Sequence, residues 1–363
     1  MERPEMSKLA KALVSSAIVG TLLLTGCAAA DNSGTPETPA EVPAITTLRL
    51  GYFPNLTHAA ALVGVQQGHF KTALKDLGIS VTPTIFNAGP DAVSALFGQS
   101  LDCSYIGPNP AINAYAQSEG EAVRVISGAS SAGAALVVRK GITSVDQLKG
   151  KTLATPQLGN TQDVALRAWL LEQGIETTSE GGGDVAIRPQ ANAEGLAAFV
   201  AGTIEGAWVP QPWVAEYEAA GATILLNEKE LWPEGQFVTT HIICRTEFVR
   251  DYPEVVTALI RGHLAALDSL ASDPKAAQES FSLALSAITG TTPKPEILES
   301  AWADLEFTYD PISTSLVKSA ADAVKVGLLD QSSIDAAGGL PGKLYSLELL
   351  NSVLKELGKT EVK

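Results

Sequence analysis

The 363-residue sequence is poor in the residues that form metal centres and redox sites. It has three cysteines, two methionines and four histidines, and the histidines are isolated at positions 58, 69, 241 and 263. Because none of them has the spacing of metal ligands, we expect no metal and no cofactor. The sequence also lacks a paired Ser/His/Asp arrangement, and its glycine run at 181–183 precedes a predicted strand, unlike a nucleotide-binding loop. These absences indicate that the protein is not an enzyme.

Basic residues are scarce as well. Lysine and arginine total 25, against 40 aspartates and glutamates, and the formal net charge is −15. This balance disfavours binding to nucleic acid and electrostatic binding to anionic lipid, because both need a basic surface. We therefore expect no nucleic-acid partner, and any attachment to a membrane has to come from another source.

The N-terminal segment provides such a source. Three basic residues precede an apolar run over residues 12–24, which is too short for a resident membrane helix and is typical of a secretion signal. The run ends in Leu24-Thr25-Gly26-Cys27, which resembles the bacterial lipobox. We predict a lipoprotein signal peptide over 1–26, lipidation of Cys27 and a location on the cell membrane, facing the extracytoplasmic side. An ordinary signal peptide cleaved near residues 28–30 is the alternative.

The stretch 27–46 that follows is rich in alanine, proline, threonine and glutamate. Such a composition cannot bury a core, so it predicts a tether. The two remaining cysteines, Cys103 and Cys244, lie in apolar, strand-like segments. We expect two buried thiols there, since free cysteine behaves as a small hydrophobic residue. A disulfide is the alternative, because an extracytoplasmic location would permit one.

Short apolar segments alternate with helical patterns from Leu48 onward, which is typical of βαβ units around a parallel sheet. The alternation restarts near Ser144, so two α/β units follow one another along the chain. A long strand at 237–245 then indicates that the chain returns to the first unit. Crossovers at 139–143 and 234–240 would form a hinge between the units.

These patterns predict an α/β fold of two lobes, each with a mainly parallel sheet flanked by helices and with a ligand cleft between them. Lobe 1 is predicted to comprise residues 47–141 and 238–363, and lobe 2 residues 142–237. The C-terminal helices belong to lobe 1 and have an apolar face, formed in one helix by Val255, Leu259, Leu264, Leu267 and Leu270.

The turns that follow the strands are polar and rich in glycine and proline. In open α/β sheets, ligands bind beyond the carboxyl ends of the strands, where helix N-termini present free N–H groups. One such turn alone indicates no more than a capped helix, but five that face one cleft, without a lysine or arginine, predict a site for a small anion. The predicted ligand-binding residues are Asn55, Thr57, His58, Gly89, Gly107, Asn109, Gly159, Asn160, Thr161, Trp208 and Gln211.

Some of these side chains have alternative interpretations. His58 could donate a hydrogen bond to a ligand, or it could serve as a helix cap. Trp208 is predicted to form an apolar wall of the cleft, whereas Trp213 and Trp169 are expected in the core. Asp163 and Glu194 lie near the predicted cleft and are expected to repel dianions such as sulfate.

The sequence resembles the solute-binding proteins of the nitrate, sulfonate and taurine type, and among them most closely those that bind aliphatic sulfonates. The resemblance extends over roughly residues 48–328. Its motifs are LRLGYFPNLTHA at 48–59, NAGP at 87–90, YIGPNP at 105–110, DQLKGK at 146–151, GNT at 159–161 and EGAW at 205–208. Two turns depart from the sulfonate-binding pattern, because Gly159-Asn160-Thr161 replaces a Gly-Ser-Ser turn and Gln211-Pro212 replaces Asp-Pro.

The resemblance implies a two-lobed periplasmic-binding-protein fold of type II and the role of the capture component of an ABC importer. The expected partners are a small organic anion, with an aliphatic sulfonate favoured, and permease subunits driven by a cytoplasmic ATPase; the protein itself is expected to be a monomer. The same fold also serves nitrate, taurine, and thiamine-pyrimidine or flavin-like ligands. A ligand sensor remains an alternative function, as does a pyrimidine-synthesising enzyme, although the scattered histidines and cysteines disfavour the latter.

Overall fold

The computed structural model describes residues 43–363. The predicted signal peptide over 1–26, Cys27 and most of the predicted tether lie outside the described residues. Among residues 43–363, no helix combines the length and the hydrophobicity that crossing a membrane requires. In the same range, no group of three or more His, Cys, Asp or Glu side chains is placed to hold a metal ion.

Strands and helices alternate through the first two thirds of the described chain, and helices dominate the rest. The strands are β1 (Thr47–Tyr52), β2 (Ser80–Ile85), β3 (Cys103–Ile106), β4 (Val123–Ala132), β5 (Ala134–Arg139), β6 (Thr152–Thr155), β7 (Ala186–Pro189), β8 (Gly206–Pro210), β9 (Ala222–Asn227), β10 (Val238–Arg245) and β11 (Leu305–Phe307). The helices are α1 (Ala59–Gln66), α2 (His69–Leu74), α3 (Gly89–Phe97), α4 (Pro108–Gln117), α5 (Thr161–Glu172), α6 (Asn192–Val200), α7 (Trp213–Ala219), α8 (Thr246–Asp251), α9 (Pro253–Ser272), α10 (Pro274–Thr289), α11 (Pro295–Ala303), α12 (Ser313–Lys325), α13 (Gln331–Ala336) and α14 (Glu348–Glu356). Single 3-10 turns span Leu56–His58, Lys75–Leu77, Val145–Leu148, Glu228–Leu231 and Pro233–Gly235.

The first sheet has the spatial order β11-β4-β10-β3-β1-β2. Strand β1 is parallel to β2 and β3, whereas β10 is antiparallel to β3 and β4, and β11 is antiparallel to β4. The predicted two-lobed α/β fold is confirmed, but the sheet is mixed and not mainly parallel. The reason is that β10 enters this sheet from the second lobe and therefore runs against the strands that βαβ units place there.

The second sheet has the order β7-β6-β8-β5-β9 and is mixed as well, since β6 is parallel to β7 and β8 while β5 is antiparallel to β8 and β9. The position of β5 corrects the predicted lobe boundary. Residues 134–139 were expected in lobe 1, but their hydrogen-bonding partners place them in the second sheet. The first crossover therefore lies between Ala132 and Ala134, and not at 139–143.

This first crossover needs a glycine. Ala132 and Gly133 both have left-handed backbones, with φ angles of 62° and 70°. A Cβ atom on Gly133 would lie 2.4 Å from the Cδ2 atom of Leu305, so a side chain would collide there as well as strain the backbone. The second crossing runs from β9 to β10.

The apolar periodicity of the C-terminal helices corresponds to the observed core. The predicted face of α9 is buried in the main hydrophobic cluster of the first lobe, together with Leu48 and Leu50 of β1. Helix α12, by contrast, packs against both α4 and α5. It thus contacts both lobes.

A disulfide bond joins Cys103 to Cys244, with an S–S distance of 2.03 Å. The prediction of two free thiols was therefore wrong. Both residues are fully buried, as expected, but they are direct register partners on the antiparallel strands β3 and β10. The 141 residues that separate them in the sequence conceal this proximity, which exists because β10 returns beside β3.

Candidate functional site

A cavity lies between the two lobes, where the carboxyl ends of β1, β2 and β3 face those of β6, β7 and β8. Its lining residues are Phe53, Asn55, Thr57, His58, Asn87, Gly107, Pro156, Asn160, Thr161, Gln162, Asn192, Pro210 and Thr239. The two lobes touch beside it, since the backbone N–H of Leu56 donates to the backbone oxygen of Gln211 at 3.0 Å. The cavity has a volume of about 20 Å³. A single water molecule needs about 10–15 Å³, so this volume corresponds to about one water molecule.

Six of the eleven residues predicted to bind a ligand line this cavity. Asn55, Thr57, His58 and Gly107 come from the first lobe, and Asn160 and Thr161 come from the second. The other five, which are Gly89, Asn109, Gly159, Trp208 and Gln211, do not line it.

His58 is a neutral donor in this site. Its side chain is buried, and its Nδ1 atom accepts a hydrogen bond from the backbone N–H of Phe53 at 3.3 Å. Burial lowers the pKa of the imidazole to about 3. A neutral imidazole that accepts at Nδ1 carries its proton on Nε2, so His58 offers one N–H to the cavity.

Asn55 and Asn160 are also fixed as donors. The Oδ1 atom of Asn55 accepts a hydrogen bond from Nε1 of Trp213 at 2.9 Å, and Oδ1 of Asn160 accepts one from the backbone N–H of Thr161 at 2.6 Å. With the oxygen engaged, each amide leaves its NH2 group available. Trp213 was expected in the core; it packs partly buried against the second-lobe cluster but also reaches Asn55 of the other lobe.

Four helices begin at the cavity, two from each lobe. Asn87 immediately precedes the α3 cap, Gly107 caps α4, Asn160 caps α5, and Asn192 is the first residue of α6. Each helix N-terminus has a partial positive charge and N–H groups without intrahelical partners. No charged side chain is among the described residues that line the cavity. Helix ends and neutral donors alone therefore make the site attractive to an anion.

The charges nearest to α5 compensate one another. Asp163 Oδ2 accepts hydrogen bonds from the backbone N–H of Gly159 and from Nε of Arg167, both at 3.0 Å, and Oδ1 accepts one from Thr155 at 2.8 Å. Asp163 and Arg167 are both fully buried. Asp163 therefore organises the turn before α5 and presents no free charge, and Glu194 is exposed, so the expectation that these two carboxylates repel dianions has no support in their positions.

Trp208 does not form a wall of the cleft. Its side chain is fully buried, its Nε1 atom donates to Oε2 of Glu228 at 2.7 Å, and its ring contacts Trp169 edge to face. Strand β8 lies in the middle of the second sheet, so alternate side chains point into the packed layer on each face. Trp169 is part of that layer, as predicted.

Gly89 and Asn109 do not line the cavity but stabilise the first-lobe turns that do. A Cβ atom on Gly89 would lie 2.2 Å from Cγ of Pro110, so the absence of a side chain allows α3 and α4 to approach each other. Asn109 is buried, and its Nδ2 donates to the backbone oxygen of Ser319 at 3.1 Å. This contact anchors α4 to α12.

Gly159 and Gln211 shape the second-lobe turns. Gly159 has a φ angle of 73°, which favours glycine, and its N–H is engaged by Asp163. The backbone oxygen of Gln211 accepts a hydrogen bond from the N–H of Leu56 at 3.0 Å, while its Nε2 donates to Asp304 at 3.3 Å. Both contacts of Gln211 connect the lobes.

Seven lining residues were not predicted. They are Phe53, Asn87, Pro156, Gln162, Asn192, Pro210 and Thr239. Asn87 and Asn192 stand at strand-to-helix turns, so the rule that selected Asn55 could have found them. Thr239 carries no such signal, because it is the second residue of a strand and reaches this edge only through the antiparallel direction of β10.

Comparison with known proteins gives a consistent result. Residues 41–285 match the sequence profile of the NMT1-like family. A Brucella abortus protein described as a binding protein is 26% identical over 235 residues, which cover 63% of this chain and 68% of the relative. The taurine-binding periplasmic protein of Escherichia coli is 28% identical over 207 residues, which cover 56% and 61%.

Solved structures agree in fold. The alkanesulfonate-binding protein of Xanthomonas axonopodis, bound to MOPS, has a TM-score of 0.65 at 20% identity and covers 83% of this chain and 96% of its own. The periplasmic nitrate-binding protein of Synechocystis has a TM-score of 0.71 at 15% identity, with coverage of 87% and 90%. Together with the two sheets described above, these similarities confirm the predicted periplasmic-binding-protein fold.

Proposed function

This chain belongs to the NMT1-like family, and we propose that it is the extracytoplasmic solute-binding component of an ABC importer, capturing a small organic anion and delivering it to a membrane permease. An aliphatic sulfonate is the favoured ligand. The protein works as a monomer and performs no catalysis, consistent with relatives that are described as binding proteins.

One observation carries the proposal, namely the fixed direction of the hydrogen-bonding groups in the cavity. Asn55, His58 and Asn160 each have their acceptor atom engaged and a donor left for the ligand. Four helix N-termini add to this, and the lining is uncharged. These fixed donors and helix ends are complementary to an oxyanion such as a sulfonate, whose oxygens only accept.

Nitrate is the second candidate, because the small volume of the cavity favours a compact oxyanion. The similar proteins are named for binding an alkanesulfonate, nitrate or taurine. In either case the mechanism is the same: the open lobes bind the anion, its contacts with both walls favour the closed form, and the permease recognises that form.

A thermal-shift experiment tests the proposal. The purified protein is heated with ethanesulfonate, butanesulfonate, taurine, nitrate, sulfate, the thiamine pyrimidine or riboflavin. A ligand that binds only the folded state adds about 2.7 kcal/mol of stability at a hundredfold excess over Kd. We expect a rise in Tm with the sulfonates. A rise with nitrate alone would show that nitrate, and not a sulfonate, is the ligand. A rise only with the pyrimidine or flavin would contradict the proposed binding of an anion.

A glycine variant supplies the control for this screen. A Cβ atom on Gly107 would lie 2.4 Å from Oγ1 of Thr161, so Gly107→Val should keep the lobes apart and abolish the ligand-induced shift. Gly182→Ala is the matched variant, because Gly182 lies in an exposed loop where the added carbon meets only Oγ1 of Thr178 at 3.4 Å. It should retain the full shift.

We also propose that lipid on Cys27 attaches the protein to the outer face of the cell membrane. The lipobox-like sequence 24–27 and the acidic net charge of −15 support this, since such a charge gives no electrostatic attraction to anionic lipid. Cys27→Ala should abolish incorporation of labelled palmitate and release the protein from the membrane fraction. Continued labelling of the variant would contradict the proposal.

A further inference from the structure

Four buried polar atoms near the N-terminus of α6 have no hydrogen-bond partner within residues 43–363. They are Oε1 of Gln157, Nε2 of Gln190, Oδ1 of Asn192 and the hydroxyl of Tyr217. Buried polar atoms are normally paired, and a group of unpaired ones requires an explanation. We call these four residues the α6 subsite.

Three of the four residues come shortly after strands β6 and β7 of the second sheet, and the fourth, Tyr217, lies on α7. Gln157 follows β6 and Gln190 follows β7, and the N–H of Gln190 donates to the backbone oxygen of Thr155 at 2.8 Å. Asn192 is the first residue of α6 and lines the cavity between the lobes. The subsite therefore adjoins the site proposed for the anion.

A glycine allows two of these side chains to approach α6. Gly195 lies one turn after Asn192 on α6, and a Cβ atom there would be 2.9 Å from the hydroxyl of Tyr217 and 3.6 Å from Nε2 of Gln190. The hydroxyl and the amide therefore gather over a residue that has no side chain. The Tyr217 ring itself is held by Phe199, with ring centroids 5.1 Å apart.

The chemistry of the subsite restricts what it can bind. It combines acceptors and donors, so an alkyl chain would leave all four atoms unpaired. It contains no carboxylate and lies at the positive end of a helix, so an ammonium group would be buried without compensation. Burial also raises the pKa of Tyr217, which keeps its hydroxyl protonated. A neutral group that both donates and accepts, such as a hydroxyl, fits best.

We propose that the α6 subsite binds a neutral hydrogen-bonding substituent on the tail of the ligand, and that this protein selects hydroxyl-bearing organic anions over plain alkyl or amino ones. The inference rests on the proposed function, because it assigns the tail of the same ligand whose anionic end the cavity binds.

Calorimetric titration of the purified protein tests the inference. The ligands are ethanesulfonate, 2-hydroxyethanesulfonate, 3-hydroxypropanesulfonate and 2-aminoethanesulfonate. We expect one of the hydroxyl compounds to bind about tenfold more tightly than ethanesulfonate, the effect of one or two hydrogen bonds. Tyr217→Phe should reduce this ratio to near one, and Gln190→Met should reduce it as well.

Tyr115→Phe is the control, because the Tyr115 hydroxyl has two partners in the first lobe, the oxygen of Ala337 at 2.7 Å and the N–H of Lys343 at 3.0 Å. It should leave the ratio unchanged. Equal affinities for hydroxyl and alkyl compounds, or tightest binding of the amino compound, would overturn the inference and leave the proposed function standing. Absence of binding by any sulfonate and by nitrate would overturn both.

Discussion

The two walls of the cavity differ in how their polar atoms are satisfied. On the first-lobe wall, Nδ1 of His58 and Oδ1 of Asn55 are both hydrogen-bonded within the protein. On the second-lobe wall, Oγ1 of Thr161 and Oδ1 of Asn192 are buried without a partner in the described chain. The amide oxygen of Asn55 is engaged by Trp213 of the other lobe, so the acceptors of the first wall are satisfied when the lobes are together. The second wall holds Asn160 within its own lobe but leaves two oxygens for what it binds. We therefore expect donors from both walls to hold the anionic group, and the choice among ligands to depend mainly on the second wall.

The interiors of the two lobes also differ in the groups that they bury. The first lobe is held by the Cys103–Cys244 disulfide and contains three fully buried histidines, His58, His241 and His263. The second lobe contains a buried ion pair and the buried carboxyl of Glu228. The two lobes should thus respond differently to mutation and to acid.

Removal of the disulfide should have the largest effect. The Cys103→Ala/Cys244→Ala variant loses a link across 141 residues, which in the chain-entropy treatment stabilises the folded state by about 5 kcal/mol. Urea unfolding should show the midpoint shifted strongly downward, while ligand affinity at low urea changes little. Wild-type protein treated with reductant is the control and should behave like the variant. An unchanged midpoint would show that the bond does not stabilise the first lobe.

Acid should destabilise the first lobe through its histidines. Burial lowers the pKa of His58 and His241 to about 3 and that of His263 to about 4, below the unfolded value of about 6.5. The unfolded state then binds more protons, so stability is complete above pH 6.5 and decreases toward pH 4, by the order of 2 kcal/mol per histidine at pH 4.5. His263→Gln, which can still accept from Tyr105 and donate to Gly128, should flatten the dependence of Tm on pH.

The stability of the second lobe should change with pH in the opposite direction. Burial raises the pKa of Glu228 to about 7, although the hydrogen bond from Trp208 lowers it in part. A raised pKa means that the stabilising contribution is complete below the unfolded value near 4.5 and is lost as pH increases through 7. Glu228→Gln should therefore raise Tm at pH 8 by a few degrees and leave it nearly unchanged at pH 5. A lower Tm at pH 8 would contradict this sign.

The smallest effect concerns the second wall alone. Thr161→Val removes a hydroxyl without a partner, so it should weaken ligand binding about tenfold without lowering the Tm of the ligand-free protein. Asn160→Ala also removes the cap of α5, which costs about 1 kcal/mol, so that variant should lose both affinity and stability. Calorimetry and thermal unfolding of the two variants together separate these effects, and equal losses of Tm would contradict the assignment.

The sequence was sufficient for the two α/β units and for half of the site, because both follow from local patterns. Strand-to-helix turns place Asn55, Gly107 and Asn160 at one edge of a sheet whatever the neighbouring strands are. Pairing across long separations is different. Nothing local in residues 134–139 indicates that β5 joins the second sheet, and the disulfide depends on β10 returning beside β3.

The direction in which side chains point was the other feature that the sequence did not predict. Trp208 and Asn109 stand at the predicted turns, but one points into the layer below the second sheet and the other toward α12. An alternating strand or a helix start does not specify which face is covered until the packing of the whole lobe is known. The same applies to Asp163, whose neutral setting depends on Arg167 one helical turn away.

The hydrogen bond from Trp213 to Asn55 has a practical consequence. The indole is half-buried, belongs to the second lobe and is one hydrogen bond away from a residue that lines the cavity. Its fluorescence therefore depends on both the separation of the lobes and the occupancy of Asn55. The protein contains an intrinsic optical reporter, and replacing the other four tryptophans with phenylalanine would turn it into a label-free sensor for its own ligand.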